Sequence, residues 1–203
     1  MLVVCDMSSN FASRPVNWEN YDVVYLGAQK NLGPSGLTVV IVRDSVLERP
    51  PRKDMISTNN WALYKKAPNM YMNTPCNFAI YITGLNLAHM LKVGGIAKMT
   101  ELAEIRSKML YDYIDSSDGY YTNIVNKSYR SRMNIPFRIC DDAELEAKFL
   151  AEAKTHGMIE LKGHVALGGI RASLYNAMPV EGVETLIKLM KSFKDTNIKK
   201  AKL

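Results

Sequence analysis

The stretch VVYLGAQKNLGPSG, residues 23–36, constrains the chain more tightly than any other. Its four leading apolar residues, Val23 to Leu26, have the length of a buried strand, and glycines and small polar residues then close the run. Two more apolar runs, over residues 2–5 and 37–42, predict further strands, and the three form a sheet. A strand that stops in such a turn puts Lys30 at the carboxyl edge of the sheet, where open α/β folds bind ligands. Asp6 ends the first strand, so an amine and a carboxylate can face one crevice. That pair suits pyridoxal phosphate, which takes a Schiff-base lysine and an acid for its ring nitrogen. On spacing alone, a solvated loop lysine is the default.

Past Val42, an irregular segment over 43–73 carries Pro50, Pro51 and Pro68. Thr74-Pro75 then predicts a helix start for the apolar run 78–91, and Gly94-Gly95 breaks it. A helix over 96–114 places Met99, Ala103, Arg106, Leu110 and Tyr113 on neighbouring turns. Strands follow near 123–125 and at 134–139, then a helix over 143–156 and a strand over 158–161. A glycine loop, a strand over 170–175 and a helix over 183–193 complete the order. The pattern describes the remainder of a larger α/β domain, residues 1–97, and a smaller two-layer α+β domain, residues 98–203.

Composition excludes several classes. With 47% hydrophobic residues the chain is too apolar for disorder. Its charge of +6 gathers near the C-terminus in Lys188, Lys191, Lys194, Lys199, Lys200 and Lys202, which reads as a solvated tail rather than a nucleic-acid surface. Cys5, Cys76 and Cys140 are odd in number, far apart and outside any metal-ligand spacing, so no bound metal is expected and a reduced, cytoplasmic compartment is. No apolar run approaches the ~20 residues of a membrane span.

Five motifs in order, Asp6-Met-Ser-Ser9, Gly27-Ala-Gln-Lys-Asn31, Asn73-Thr-Pro75, Ser131-Arg-Met-Asn134, and Lys162-Gly-His164 with Gly168-Gly-Ile-Arg-Ala-Ser173, together resemble the phosphoserine aminotransferase family. The resemblance covers about residues 2–193 and corresponds to the C-terminal part of a family member. It implies a fold-type-I, class-V pyridoxal-phosphate enzyme: the end of the large domain, a mixed sheet with helices, followed by the small α+β domain. It further implies transamination between O-phospho-L-serine with 2-oxoglutarate and 3-phosphohydroxypyruvate with L-glutamate, within serine biosynthesis, by a homodimer with shared active sites.

By the same resemblance Lys30 is the Schiff-base lysine and proton shuttle, Asp6 the partner of the ring nitrogen, and Gln29 a cofactor-phosphate ligand. Asn73 and Thr74 match the pair that reaches the cofactor phosphate of the neighbouring subunit. Arg171 matches the arginine for the substrate α-carboxylate, the alternative being a strand arginine paired with an internal acid. His164 resembles a histidine near the substrate phosphate. Ser8 and Ser9 read as turn formers, and Arg130 and Arg132 as structural. One departure stands out: the family's Gly-His-Arg is Gly163-His-Val165 here, which removes a fixed charge where a dianion is expected. The missing upstream half leads us to expect a piece of a longer polypeptide, inactive by itself. A non-catalytic dimerisation or scaffold module is the alternative reading.

Overall fold

The apolar run at the head of the constraining stretch is strand β2, Val23–Gly27, in a computed structural model that describes residues 1–164 and 168–201. β2 lies in the middle of a three-stranded sheet, parallel to β1 (Val4–Asp6) and antiparallel to β3 (Thr38–Val42). Val23, Val24 and Leu26 are buried, whereas Tyr25 is exposed. The segment expected to be irregular holds two short helices, α1 (Asp44–Leu47) and α2 (Trp61–Lys66), with 3-10 turns between and after them.

Helix α3, Asn77–Lys92, begins later than Thr74-Pro75 suggests. A residue before proline is biased to extended backbone, and Cys76 occupies the N-cap with no side-chain bond, so the Thr74 hydroxyl does not cap the helix. Ala79, Thr83 and Met90 mark its buried side, while Phe78, Tyr81 and Leu85 are exposed.

By its internal contacts the chain divides into two units: residues 1–11 with 15–95, and residues 12–14 with 96–203. In the second unit β4 (Tyr121–Thr122), β5 (Asn134–Ile139) and β6 (Ile170–Ser173) form an antiparallel sheet in that order. β5 alternates strictly, burying Ile135, Phe137 and Ile139. Against that face pack α4 (Gly95–Asp115), α5 (Ala143–Thr155) and α6 (Val180–Ala201). Asp142 caps α5 by accepting from the N–H groups of Glu144 and Leu145. Tyr121, Phe137, Phe149 and Phe193 stack edge-on in series through the core, and the Tyr121 hydroxyl donates to the Met190 carbonyl at 2.8 Å.

Three expectations change here. The strand expected near 123–125 is Tyr121–Thr122, because the Asn123 side chain accepts from Val125 N at 2.7 Å and donates to the Pro136 carbonyl, diverting the backbone from the ladder. Residues 158–161 run beside β6, with Arg171 N donating to Leu161 O at 2.8 Å, but Glu160 has φ of 59° and breaks regular pairing. The last helix is longer than 183–193 and takes in much of the lysine-rich end. Lys194 donates to the Ser117 carbonyl and Lys148 to the Asn197 side chain, so part of this charge is structural. Among the described residues no helix is long and apolar enough to cross a membrane.

Arg130 and Arg132 stay within the second unit. Arg130 makes a two-pronged pair with Asp115 at 2.7 and 2.8 Å and lies over the Tyr111 ring, and Arg132 pairs with Glu104. The Arg130 bonds hold the Asp115 carboxyl down to about 2.

Phe149 is the test of this core, being fully buried between Phe137 and Phe193. Phe149→Ala should cost ~3–5 kcal/mol, read as a lower urea midpoint for the second unit with its secondary structure retained in the folded baseline.

Candidate active site

Parallel pairing of β1 with β2 brings the carboxyl ends of both strands to the same edge of the sheet. Asp6, the last residue of β1, is in register with Tyr25, and the chain leaves β2 at Gly27, three residues before Lys30. Between them stands Ser8. Its N–H and its hydroxyl both donate to Asp6 Oδ1, at 2.8 and 2.6 Å, while its oxygen accepts from Gly27 N at 3.2 Å. One hydroxyl therefore orients the Asp6 carboxylate and ties it to the start of the Lys30 turn.

These bonds set the electrostatics. The Asp6 carboxyl is held below the usual carboxylate range, chiefly by the Ser8 hydroxyl and the Ser8 N–H, with smaller contributions from the Lys30 charge and the Tyr25 hydroxyl. Asp6 is thus an anion at neutral pH, aimed from a strand end and within the field of an amine.

Lys30 sits inside a single tight turn, in which Ala28 O accepts from Leu32 N at 3.0 Å and from Gly33 N at 2.8 Å. Asn31, buried just after it, donates its side-chain amide to the carbonyls of Ser9 and Phe11, both at 2.9 Å. The turn that carries the amine is therefore stitched to the loop that follows the carboxylate. Gln29 is exposed and folds its amide back against Gly27, where a Cβ would lie 2.4 Å from Gln29 Oε1. Asn73 and Thr74 are exposed, and neither is hydrogen-bonded to Asp6, Gln29 or Lys30; Asn73 reaches only the Thr74 carbonyl, at 3.4 Å.

On the second unit Arg171 occupies β6, opposite Pro136. Its Nε is buried without a hydrogen-bond partner, and among the described residues no carboxylate pairs with it. Arg130, Arg132 and Arg138 of the same unit all have acids. An internal ion pair is thus absent for Arg171 among the described residues. His164 is exposed; its carbonyl accepts from Gly168 N at 2.8 Å, and Gly163 N donates to Gly169 O at 2.8 Å. Val165 lies outside the described residues.

A family model described as aminotransferase class-V matches residues 1–186. The chain belongs to the class-V aminotransferases. A phosphoserine aminotransferase of Ralstonia nicotianae is 47% identical over 195 residues, 96% of this chain and 50% of that protein. The solved phosphoserine aminotransferase of Bacillus circulans subsp. alkalophilus superposes with a TM-score of 0.91 at 40% identity, over 97% of this chain and 54% of that one. A pyridoxal-phosphate-bound phosphoserine aminotransferase from Trichomonas vaginalis superposes with a TM-score of 0.88 at 39% identity, over 94% of this chain and 53% of that one. The chain spans about half the length of the relatives it matches.

In this class-V chain the sequence reading gives Ser8 as a turn former, which its N–H bond to Asp6 agrees with, but not as the group that orients Asp6, and it assigns Asn31 no role. The signal for Ser8 is the Asp-x-Ser spacing of Asp6-Met-Ser8, since an aspartate readily accepts from a backbone N–H two residues on. Ser8→Ala should raise the Asp6 pKa toward the ordinary aspartate value, read from the carboxyl carbon in an NMR titration. The sign follows from a depressed acid. Its stabilising contribution is present above the ordinary aspartate pKa and is lost as pH falls through the folded value. The variant should therefore lose less stability than the parent over that acidic window.

Proposed function

We propose that this chain carries the lysine and the acid of a pyridoxal-phosphate-dependent phosphoserine transaminase, exchanging the amino group of O-phospho-L-serine with the oxo group of 2-oxoglutarate to give 3-phosphohydroxypyruvate and L-glutamate. The observation that supports this best is an ionised Asp6 at the same sheet edge as the turn that carries Lys30, in a chain 47% identical to a protein named for that activity. The donor set fits the cofactor. An aspartate kept ionised by Ser8 suits a protonated pyridine nitrogen, and Lys30 offers an amine to the aldehyde.

When bound, pyridoxal phosphate supplies an electron-poor ring that takes up the charge left at the substrate α-carbon. The chain's own residues do the rest. Asp6 would hold the proton on the ring nitrogen, and the Lys30 amine would take the proton from the substrate α-carbon and return it. Gln29 would donate its amide to the cofactor phosphate. Asn73 and Thr74, both exposed here, would serve a phosphate held by a second copy. On the second unit, Arg171 would hold the substrate α-carboxylate through the fork it leaves unpaired, and His164 would contact the substrate phosphate.

A homodimer is part of the proposal. The exposed apolar residues Phe78, Tyr81 and Leu85 share one side of α3, the kind of surface that a second subunit covers. The place in metabolism is serine biosynthesis, and free thiols at Cys5, Cys76 and Cys140 suit a cytoplasmic address.

The direct test incubates the 203-residue chain with pyridoxal phosphate, reduces it with borohydride and maps the peptides. The pyridoxyl group should be on Lys30, and a label concentrated on any other lysine refutes the assignment. A second measurement addresses Val165, which stands where the resemblance leads one to expect arginine. Val165→Arg should tighten phosphoserine binding by ~1.5–3 kcal/mol, about ten- to a hundredfold, and leave glutamate affinity unchanged in calorimetric titrations of the cofactor-loaded protein. An equal change for both ligands would remove this position from phosphate recognition.

A further inference from the structure

The turn that carries Lys30 ends in two carbonyls, those of Asn31 and Leu32, and the donor that reaches both comes from a distant element. Asn86, on α3, directs Nδ2 at Leu32 O (2.8 Å) and at Asn31 O (3.2 Å). Carbonyls at the end of a helical turn have no following turn to receive their bonds. A side-chain amide has two N–H donors on one nitrogen, which is the number needed here. Because both acceptors are carbonyl oxygens, only the nitrogen side of the amide can face them, so chemistry fixes its orientation.

One turn earlier on α3, Thr83 closes on Gly33 so tightly that a Cβ there would lie 2.2 Å from Thr83 Oγ1 and 3.2 Å from Thr83 Cα. Thr83 and Asn86, at helical spacing i and i+3, therefore form one contact face for residues 31–33. Asn31 is held from the other direction through its side chain, which donates to Ser9 O and Phe11 O. The residue next to Lys30 is thus gripped on its main chain by α3 and on its side chain by the loop after Asp6.

We propose that Asn86 is a positioning residue for Lys30: by capping the Asn31 and Leu32 carbonyls it fixes the turn from which the amine extends toward the Asp6 edge. The inference rests on the reading of Lys30 as the amine that attacks the cofactor aldehyde. The amine acts at the end of a long flexible side chain, so the range of positions open to Nζ is set by how firmly its Cα is held. Asn86 touches neither cofactor nor substrate in this role.

The test compares the parent chain with Asn86→Leu and Asn86→Asp. Leucine keeps the approximate shape without donors and is the better helix former, so α3 should persist; aspartate keeps the shape closely and puts oxygens against the carbonyls. Two readouts are used. The first, on protein without cofactor, is hydrogen exchange at the amides of Leu32 and Gly33, with trace acetylation of Lys30 as a function of pH against Lys108 as internal standard. The second is the rate at which pyridoxal phosphate with borohydride labels Lys30.

Both variants should show faster exchange at those two amides, an altered pH profile of Lys30 acetylation, and Lys30 labelling slowed by about tenfold or more, with unchanged helical content. Parent-like exchange, acetylation and labelling in the variants, while the parent itself labels at Lys30, overturns the positioning role. Labelling of the parent at a different lysine instead overturns the functional reading on which the role rests. If Asn86→Leu does not fold, Asn86→Asp decides between the same outcomes.

Discussion

The parallel ladder between β1 and β2 is the constraint from which the candidate site follows. Parallel strands end on the same edge, so a residue that finishes one and a turn that leaves the other are neighbours by construction. Asp6 and the strand that leads into the Lys30 turn are far apart in the chain and adjacent in the sheet. Ser8 then converts neighbourhood into geometry, since one hydroxyl accepts from Gly27 and donates to Asp6. Without the ladder, neither the depressed acid nor the stitched turn would have a frame.

The second unit solves a different problem. Its sheet is antiparallel and covered by helices on one face, and its aromatic series makes the core self-sufficient. Most of its strand and loop arginines are committed to acids: Arg130 to Asp115, Arg132 to Glu104, Arg138 to Glu146. Against this background Arg171 carries information, because its guanidinium keeps a buried donor unused. A buried unpaired donor costs free energy.

Much of the fold is legible in the sequence where periodicity is undisturbed. The alternation of β5 and the capped start of α5 read directly from Asn134–Ile139 and Asp142, and the edge position of Lys30 follows from a strand closed by glycines. Legibility fails where side chains redirect backbone. Asn123 takes hydrogen bonds that would otherwise belong to a strand, Glu160 adopts a left-handed conformation with no sequence cue, and Pro75 delays rather than starts α3. In the site, Asp6 and Lys30 are visible because their charges are. Asn31 and Asn86 are not, since an asparagine has the same appearance whether it caps a turn 54 residues away or faces water.

Three glycines near His164, at positions 163, 168 and 169, have separate obligations. A Cβ on Gly163 would lie 1.9 Å from Gly168 O, Gly168 has φ of 64°, and Gly169 has φ of 66° with Arg138 Cδ 2.5 Å from where its Cβ would be. Backbone demands therefore fall on both sides of His164, at Gly163 before it and at Gly168 and Gly169 after it. A side chain introduced at any of the three would thus disturb the main chain that carries His164 before it altered anything His164 itself touches.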